Sequence, residues 1–318
     1  MDIFAPIFNQ MLFLFAFILI GYILSKYKFI PENSTTVLSK LENIVFVPAL
    51  IMGTFIENCT PKKLASTWEL LLFSGVLVTV SIFLSIFMAK RCFKDKFLQN
   101  IVTYGLAFSN FGFMGNAIMS KVFPDIFFEY ALFTLPFWFM IYLWGAPVLL
   151  IGSQNGEKGI KSRLKAFLNP MLIGMVIGMI IGLTGLELPS AIKEVINVSG
   201  DCMSPIAMIL TGITIAKIDI LSMLKKWRLY IVTAIKLLIY PLLYIAVAMF
   251  LPKGGFINET VLLCAMCVMS MPMGLNTIVV PAAYGKDTSD AAALALITHT
   301  FSVITIPLMF MLFQAVVL

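Results

Sequence analysis

The chain has 318 residues, 60% hydrophobic and only 12% charged, with a net charge of +6 and a mean hydropathy of +1.00. A soluble domain carries about twice that charge fraction, so a water-soluble globular fold is excluded, and the basic excess does not call for nucleic acid. Apolar runs of about 20 residues, each long enough to cross a bilayer, recur without the roughly ten-residue alternating segments of a membrane β-barrel, which points to an all-α polytopic membrane protein.

Ten spans are predicted, at residues 6–25, 34–57, 67–89, 98–122, 126–152, 168–186, 189–216, 228–251, 257–285 and 288–316. The first run lacks a basic leading region and a small-residue cleavage site, so it reads as a retained span rather than a signal peptide. The second carries Glu42 and VPALIMGTF with Pro48; the third opens on Trp68. The fourth contains SNFGFMGNAIM, residues 109–119, where Asn110, Gly112, Gly115 and Asn116 interrupt an apolar run. The fifth has Pro147 near its end, and a cytoplasmic linker at 157–166 separates a first half, 1–156, from a second, 167–318. The seventh carries Asp201 near its middle and SPIAMILTG with Pro205. The eighth opens on Trp227 and holds Lys236 in AIKLLIYP; the ninth contains SMPMGLNTIV, residues 270–279; the tenth has His299 near its middle and Pro307 towards its end.

The loops sort by charge. Those after odd-numbered spans hold fifteen Lys and Arg residues, from Lys26 to Lys286, against five after even-numbered spans (Lys62, Lys63, Lys121, Lys193 and Lys253). The basic loops belong in the cytoplasm, which puts both termini outside it. The landmarks of the first five spans return in the last five: Trp68 and Trp227, Pro48 and Pro205, Pro147 and Pro307. With one insertion allowed, Ser109 matches Ser270, Gly115 falls near Gly274 and Asn116 matches Asn276. An odd number of spans per half makes the repeat inverted, a build shared by many secondary transporters.

The ninth span, with Pro272, Gly274 and Asn276 close together, reads as two half-helices, 257–270 and 277–285, with Asn276 as N-cap of the second. Backbone groups freed by such a break cannot face lipid; they face protein or a wet cavity. The second half of each broken span presents unsatisfied N–H groups, which favour an anion such as a carboxylate. The first half ends in carbonyls, which favour a cation or an ammonium group. Lys236 is the natural partner for such a carbonyl end, because a charge at that depth requires an interior partner. His299, the only histidine, is a candidate proton carrier. Asp201 and Glu42 are open between helix–helix contacts and transport. No metal or cofactor is expected: Cys264 and Cys267 lack a second ligand pair, and no G-x-x-x-x-G-K-[ST] loop occurs. An enzyme is not expected either, since His299 has no evident serine partner, although Ser302 lies one turn on.

Residues 271–308, MPMGLNTIVVPAAYGKDTSDAAALALITHTFSVITIPL, together with KLLIYPLL and FSNFGFMGN, resemble the auxin efflux carrier family, which includes plant PIN proteins and bacterial transporters of small organic acids. One departure is Asn116, where the family often has proline. The resemblance implies ten spans in two inverted repeats, helices crossing at the two breaks, and a scaffold of spans one, two, six and seven, often dimeric. It further implies a moving domain of spans three to five and eight to ten, and elevator-like transport of organic anions. Carried onto this chain, Asn110, Asn116, Gly274 and Asn276 contact substrate. A sodium-coupled carrier of the bile-acid-symporter type is the alternative.

Overall fold

A computed structural model describes residues 3–65, 67–152, 169–217, 225–251 and 257–318. The expected linker at 157–166, with Lys158, Lys161, Arg163 and Lys165, lies outside the described residues, as does Lys253. Among the described residues there is no strand; everything is helix and connection. In chain order the helices are α1 (Phe4–Lys26), α2 (Ser34–Asn58), α3 (Trp68–Cys92), α4 (Lys96–Ala107), α5 (Asn116–Val122), α6 (Pro124–Ile151), α7 (Pro170–Thr184), α8 (Ser190–Ile215), α9 (Trp227–Ala248), α10 (Glu259–Ser270), α11 (Asn276–Ala283) and α12 (Ser289–Val316). One short turn, Pro61–Ala65, precedes α3.

Seven of these, α1, α2, α3, α6, α8, α9 and α12, are long and apolar enough to cross a membrane. The chain is a polytopic α-helical membrane protein. Helix starts follow local chemistry: the side chains of Asp95, Asn169 and Asn258 accept from the N–H groups of Leu98, Leu172 and Val261 and so cap α4, α7 and α10. The tail of the ninth predicted span stops where Gly285 turns left-handed at φ 71°, a conformation that glycine alone adopts without steric cost.

Two close helix pairs organise one side of the molecule. α1 lies along α8, and α2 lies along α7. Small residues permit both. A Cβ on Gly212 would come within 2.0 Å of the Ile18 carbonyl oxygen, and one on Gly178 within 2.6 Å of that of Met52. Gly178 is the centre of a small-residue ladder, Gly174, Gly178 and Gly182, at four-residue spacing, the pattern that lets membrane helices approach backbone to backbone. On the other side α10 is central, its buried face meeting α3, α6, α9 and α12.

Four helical stretches open into π-turns; the longest, Ile141–Ile151, ends α6. The other three are Glu42–Phe46 in α2, Phe111–Gly115 leading into α5, and Ile235–Ile239 in α9. Such turns are rare and gather at functional sites. Here the three shorter ones hold Glu42, the fourth-span motif and Lys236.

Candidate functional site

The fourth and ninth predicted spans are each broken, and the breaks meet. α4 stops at Ala107 and α10 at Ser270. The connecting strands cross antiparallel, with Ser109 opposite Met273, and the Asn110 N–H donates to the Pro272 carbonyl at 2.8 Å. Each carbonyl end receives a side chain from elsewhere. The Ser109 hydroxyl donates to the Val268 carbonyl of α10 at 2.7 Å. Lys236, fully buried, reaches the Leu106 carbonyl of α4 at 3.4 Å, with its ammonium 5.2 Å from the centre of the Tyr240 ring. Tyr240 is fixed in turn by a 2.7 Å hydrogen bond with Ser85 of α3. The ammonium therefore sits against a helix C-terminus, where cations are favoured, and among the described residues no carboxylate pairs with it.

Two expectations about the second halves need correction. Asn276 is not the N-cap of α11: it is the first helical residue, the position before it is Leu275, and no side chain caps the end. Its amide instead donates to the Tyr104 hydroxyl of α4 at 3.1 Å, while the Thr277 and Ile278 N–H groups turn back onto Gly274 and Leu275. In the fourth span the helix resumes at Phe111 rather than at Asn116. The Asn110 carbonyl accepts from both Met114 and Gly115, so Gly115 and Asn116 lie within continuous helical backbone. The physical reason is the π-turn at 111–115, which takes up an extra residue without breaking the chain of hydrogen bonds; the sequence repeat needs its one insertion in the same place.

His299 of α12 joins the crossing. Its Nδ1 lies 2.8 Å from the Ala295 carbonyl, which can only accept, so Nδ1 carries the proton. Nε2 then accepts from the Asn110 amide at 3.0 Å. Thr298, one residue earlier, meets the Met273 N–H at 3.4 Å. Ser302 is no partner for the imidazole, since its hydroxyl is spent on the His299 backbone carbonyl.

Tyr104, Ser109, Asn110, Gly112, Trp138, Gly274 and Asn276 are among the residues lining a cavity of about 20 Å³ at the crossing. That is room for about one water. Beyond Gly112 and Trp138 a second cavity of about 50 Å³ runs against Asn43, Val47 and Asn169. Pro272, Gly115 and Asn116 do not line either cavity. Pro272 serves the crossing through its carbonyl, and Gly115 makes way for Tyr130, whose hydroxyl donates to the Phe111 carbonyl at 3.0 Å.

The profile of a family described as "Membrane transport protein" matches residues 6–162 and again residues 148–310. The chain belongs to this family. It is the family of the auxin efflux carriers, resembled above and matched here in two repeated segments that together span nearly the whole chain. No curated protein matches the chain at a significant level. Family membership makes the chain a membrane transporter, and the two other ionisable residues singled out in its spans, Asp201 and Glu42, lie away from the crossing.

Asp201 of this transporter does not face the crossing. Its side chain is 65% exposed, pairs with Lys121 of α5 at 2.7 Å, and lines a polar cavity of about 290 Å³ between α2, α5 and α8 together with Glu57 and Asn58. A pair so exposed contributes little to stability. Glu42 is fully buried, and neither carboxyl oxygen has a hydrogen-bond partner among the described residues. Sequence reasoning missed Tyr104, Tyr130 and Trp138, which hold the crossing in shape. The signal was present in polar-tipped aromatics placed mid-span beside a predicted break. The five cysteines are all unpaired, with Cys264 and Cys267 buried in α10, and among the described residues no group of His, Cys, Asp and Glu could hold a metal ion.

Proposed function

We propose that this membrane transporter is a secondary carrier of small mono- or dicarboxylates, working by elevator-like alternating access. The observation that carries the reading is the antiparallel crossing of two broken helices at Ser109 and Met273, with peptide dipoles converging from both sides. An anion there meets the amino ends near Asn110 and Asn276, and the buried ammonium of Lys236 adds a positive charge behind α4. Asn110 and Asn276 are the proposed side-chain contacts, beside the backbone of Gly274 and of Gly112, which the Trp138 ring covers. The cavity of about 20 Å³ is too small for any carboxylate, so binding requires Trp138 and the wall beyond it to move. That need fits a sliding step between two bodies.

In this reading the ten spans form two inverted five-span repeats. α1, α2, α7 and α8 form a scaffold that can also dimerise, and the remaining helices form the moving domain. The paired packing of α1 on α8 and α2 on α7 supports the repeat, because an exchange of halves turns one pair into the other. The charge of the loops supports a cell-membrane orientation with both termini outside the cytoplasm. A proton or the membrane potential is the proposed driver. Protonation of His299 at Nε2 would turn an acceptor into a donor, and Asn110 would have to present its amide oxygen instead, which links a proton to the crossing itself. Glu42, whose carboxyl oxygens lack a partner among the described residues, is the second candidate carrier. Sodium coupling is disfavoured because Lys236 already occupies a carbonyl end where a cation would sit.

A thermal-shift screen of the purified protein against carboxylates at two pH values tests this reading. At a concentration of about 100 Kd a ligand stabilises by about 2.7 kcal/mol, so at least one carboxylate is expected to raise the melting temperature of the wild type and not that of Asn276→Ala. Absence of any carboxylate-dependent shift, or an equal shift in the variant, would overturn the assignment of the site.

A further inference from the structure

A cavity of about 420 Å³ adjoins the crossing at His299 without being part of it. It lies between α1 and the end of α8 on one side and α9 and α12 on the other, lined by Phe15, Leu19, Tyr22, Tyr230 and Phe301, with His299 on its floor. Its rim is open: Leu19 and Phe301 are each about half exposed, on a surface that in a membrane faces hydrocarbon. Apart from the Tyr22 and Tyr230 hydroxyls, its polar groups are already used. Both ring nitrogens of His299 are hydrogen-bonded, and the Thr300 hydroxyl donates to the Leu296 carbonyl. The rest of the wall is apolar, with no cation or amide to receive a carboxylate, whereas an alkyl chain fits without loss.

The α1 wall is graded. Phe15, Leu19, Tyr22 and Lys26 follow at spacings of four, three and four and so share one helix face. They run from aromatic hydrocarbon through a polar-tipped ring to a cation, the order of tail, interface and headgroup in one leaflet. Lys26 has no ion pair among the described residues. Lys217, two residues beyond Ile215 of the cavity wall, donates to the neutral Glu32 carbonyl and the Thr35 hydroxyl and likewise has no ion pair among the described residues. We propose that this cavity binds one anionic phospholipid, its acyl chain between α1 and α12 and its phosphate near Lys26 and Lys217. The site stands apart from substrate binding at the crossing, and it lies between the helices that the proposed mechanism moves.

Native mass spectrometry of the purified protein, exchanged into micelles holding equal phosphatidylglycerol and phosphatidylcholine, reads it directly. The wild type is expected to retain one phosphatidylglycerol per chain in preference to phosphatidylcholine. Lys26→Gln should weaken that preference about fivefold, and Leu19→Trp, which fills the cavity from its lipid-facing rim, should abolish retention. Equal retention of the two lipids, no retained lipid, or unchanged retention in both variants would overturn the proposal. None of these outcomes depends on transport, so a failure here is distinguishable from a failure of the carrier reading.

Discussion

Replacing Lys236 with methionine is expected to remove carboxylate binding while leaving the protein folded. Methionine fills much of the same space but carries no charge, and in a buried site the lost attraction for an anion is about 2 kcal/mol, or roughly 30-fold in affinity. The change also strips the Leu106 carbonyl of its donor, at a cost of about 1–3 kcal/mol in stability. Lys236→Gln separates the two effects, since an amide can still donate to Leu106 but brings no charge. If the charge matters, both variants lose the carboxylate-dependent thermal shift and uptake into proteoliposomes. If Lys236 only satisfies the carbonyl, the glutamine variant keeps them. Sodium-stimulated uptake that survives Lys236→Ala but needs Asn110 would count against the role given to the lysine.

The second large effect is on the fold. Gly178→Leu is expected to prise α7 off α2, because even a Cβ at this position would stand 2.6 Å from the Met52 carbonyl oxygen and 3.0 Å from the Phe55 Cβ. Backbone cannot yield as a flexible side chain does, so the cost sits at or above the usual 1–3 kcal/mol of overpacking, and the melting temperature should fall on the order of 5–10 °C. Gly75 of α3 is the control. A Cβ there meets nothing within 4 Å, so Gly75→Leu should leave the melting temperature unchanged or slightly raised, leucine being the better helix former. Equal behaviour of the two variants, followed by fluorescence-detected melting in detergent, would contradict the close packing of α2 and α7.

How much of this was legible in the sequence depends on the range of the interaction. The apolar runs and the two interrupted spans were legible because each is a local pattern, and Pro272 with Gly274 leaves a helix no way through. Lys236 was legible in a stronger sense: a lone cation in an apolar run demands a partner, and the carbonyl end of a broken helix was the partner expected. The ladder of Gly174, Gly178 and Gly182 was equally local and was passed over, although its four-residue spacing is a packing signal in a membrane. Other features were not local. Asn276 has the chemistry of an N-cap, but the Tyr104 hydroxyl from the crossing helix claims its amide. A π-turn leaves no mark in composition, so Gly112, Gly115 and Asn116 read as an interruption although the helix already resumes at Phe111. Asp201 sits mid-span by residue number and yet is exposed beside Lys121, because depth in the sequence is not depth in the bilayer when a polar cavity opens alongside.

The central claim is that the crossing at Ser109 and Met273 is a place where a carboxylate is held and carried. Counterflow tests it most directly: proteoliposomes preloaded with an unlabelled carboxylate, found by thermal shift, are diluted into a trace of the same compound carrying a label. The account predicts a transient accumulation of label above its equilibrium level with the wild type and none with Asn276→Ala. Accumulation by the variant to the wild-type level, or none by the wild type, would contradict it.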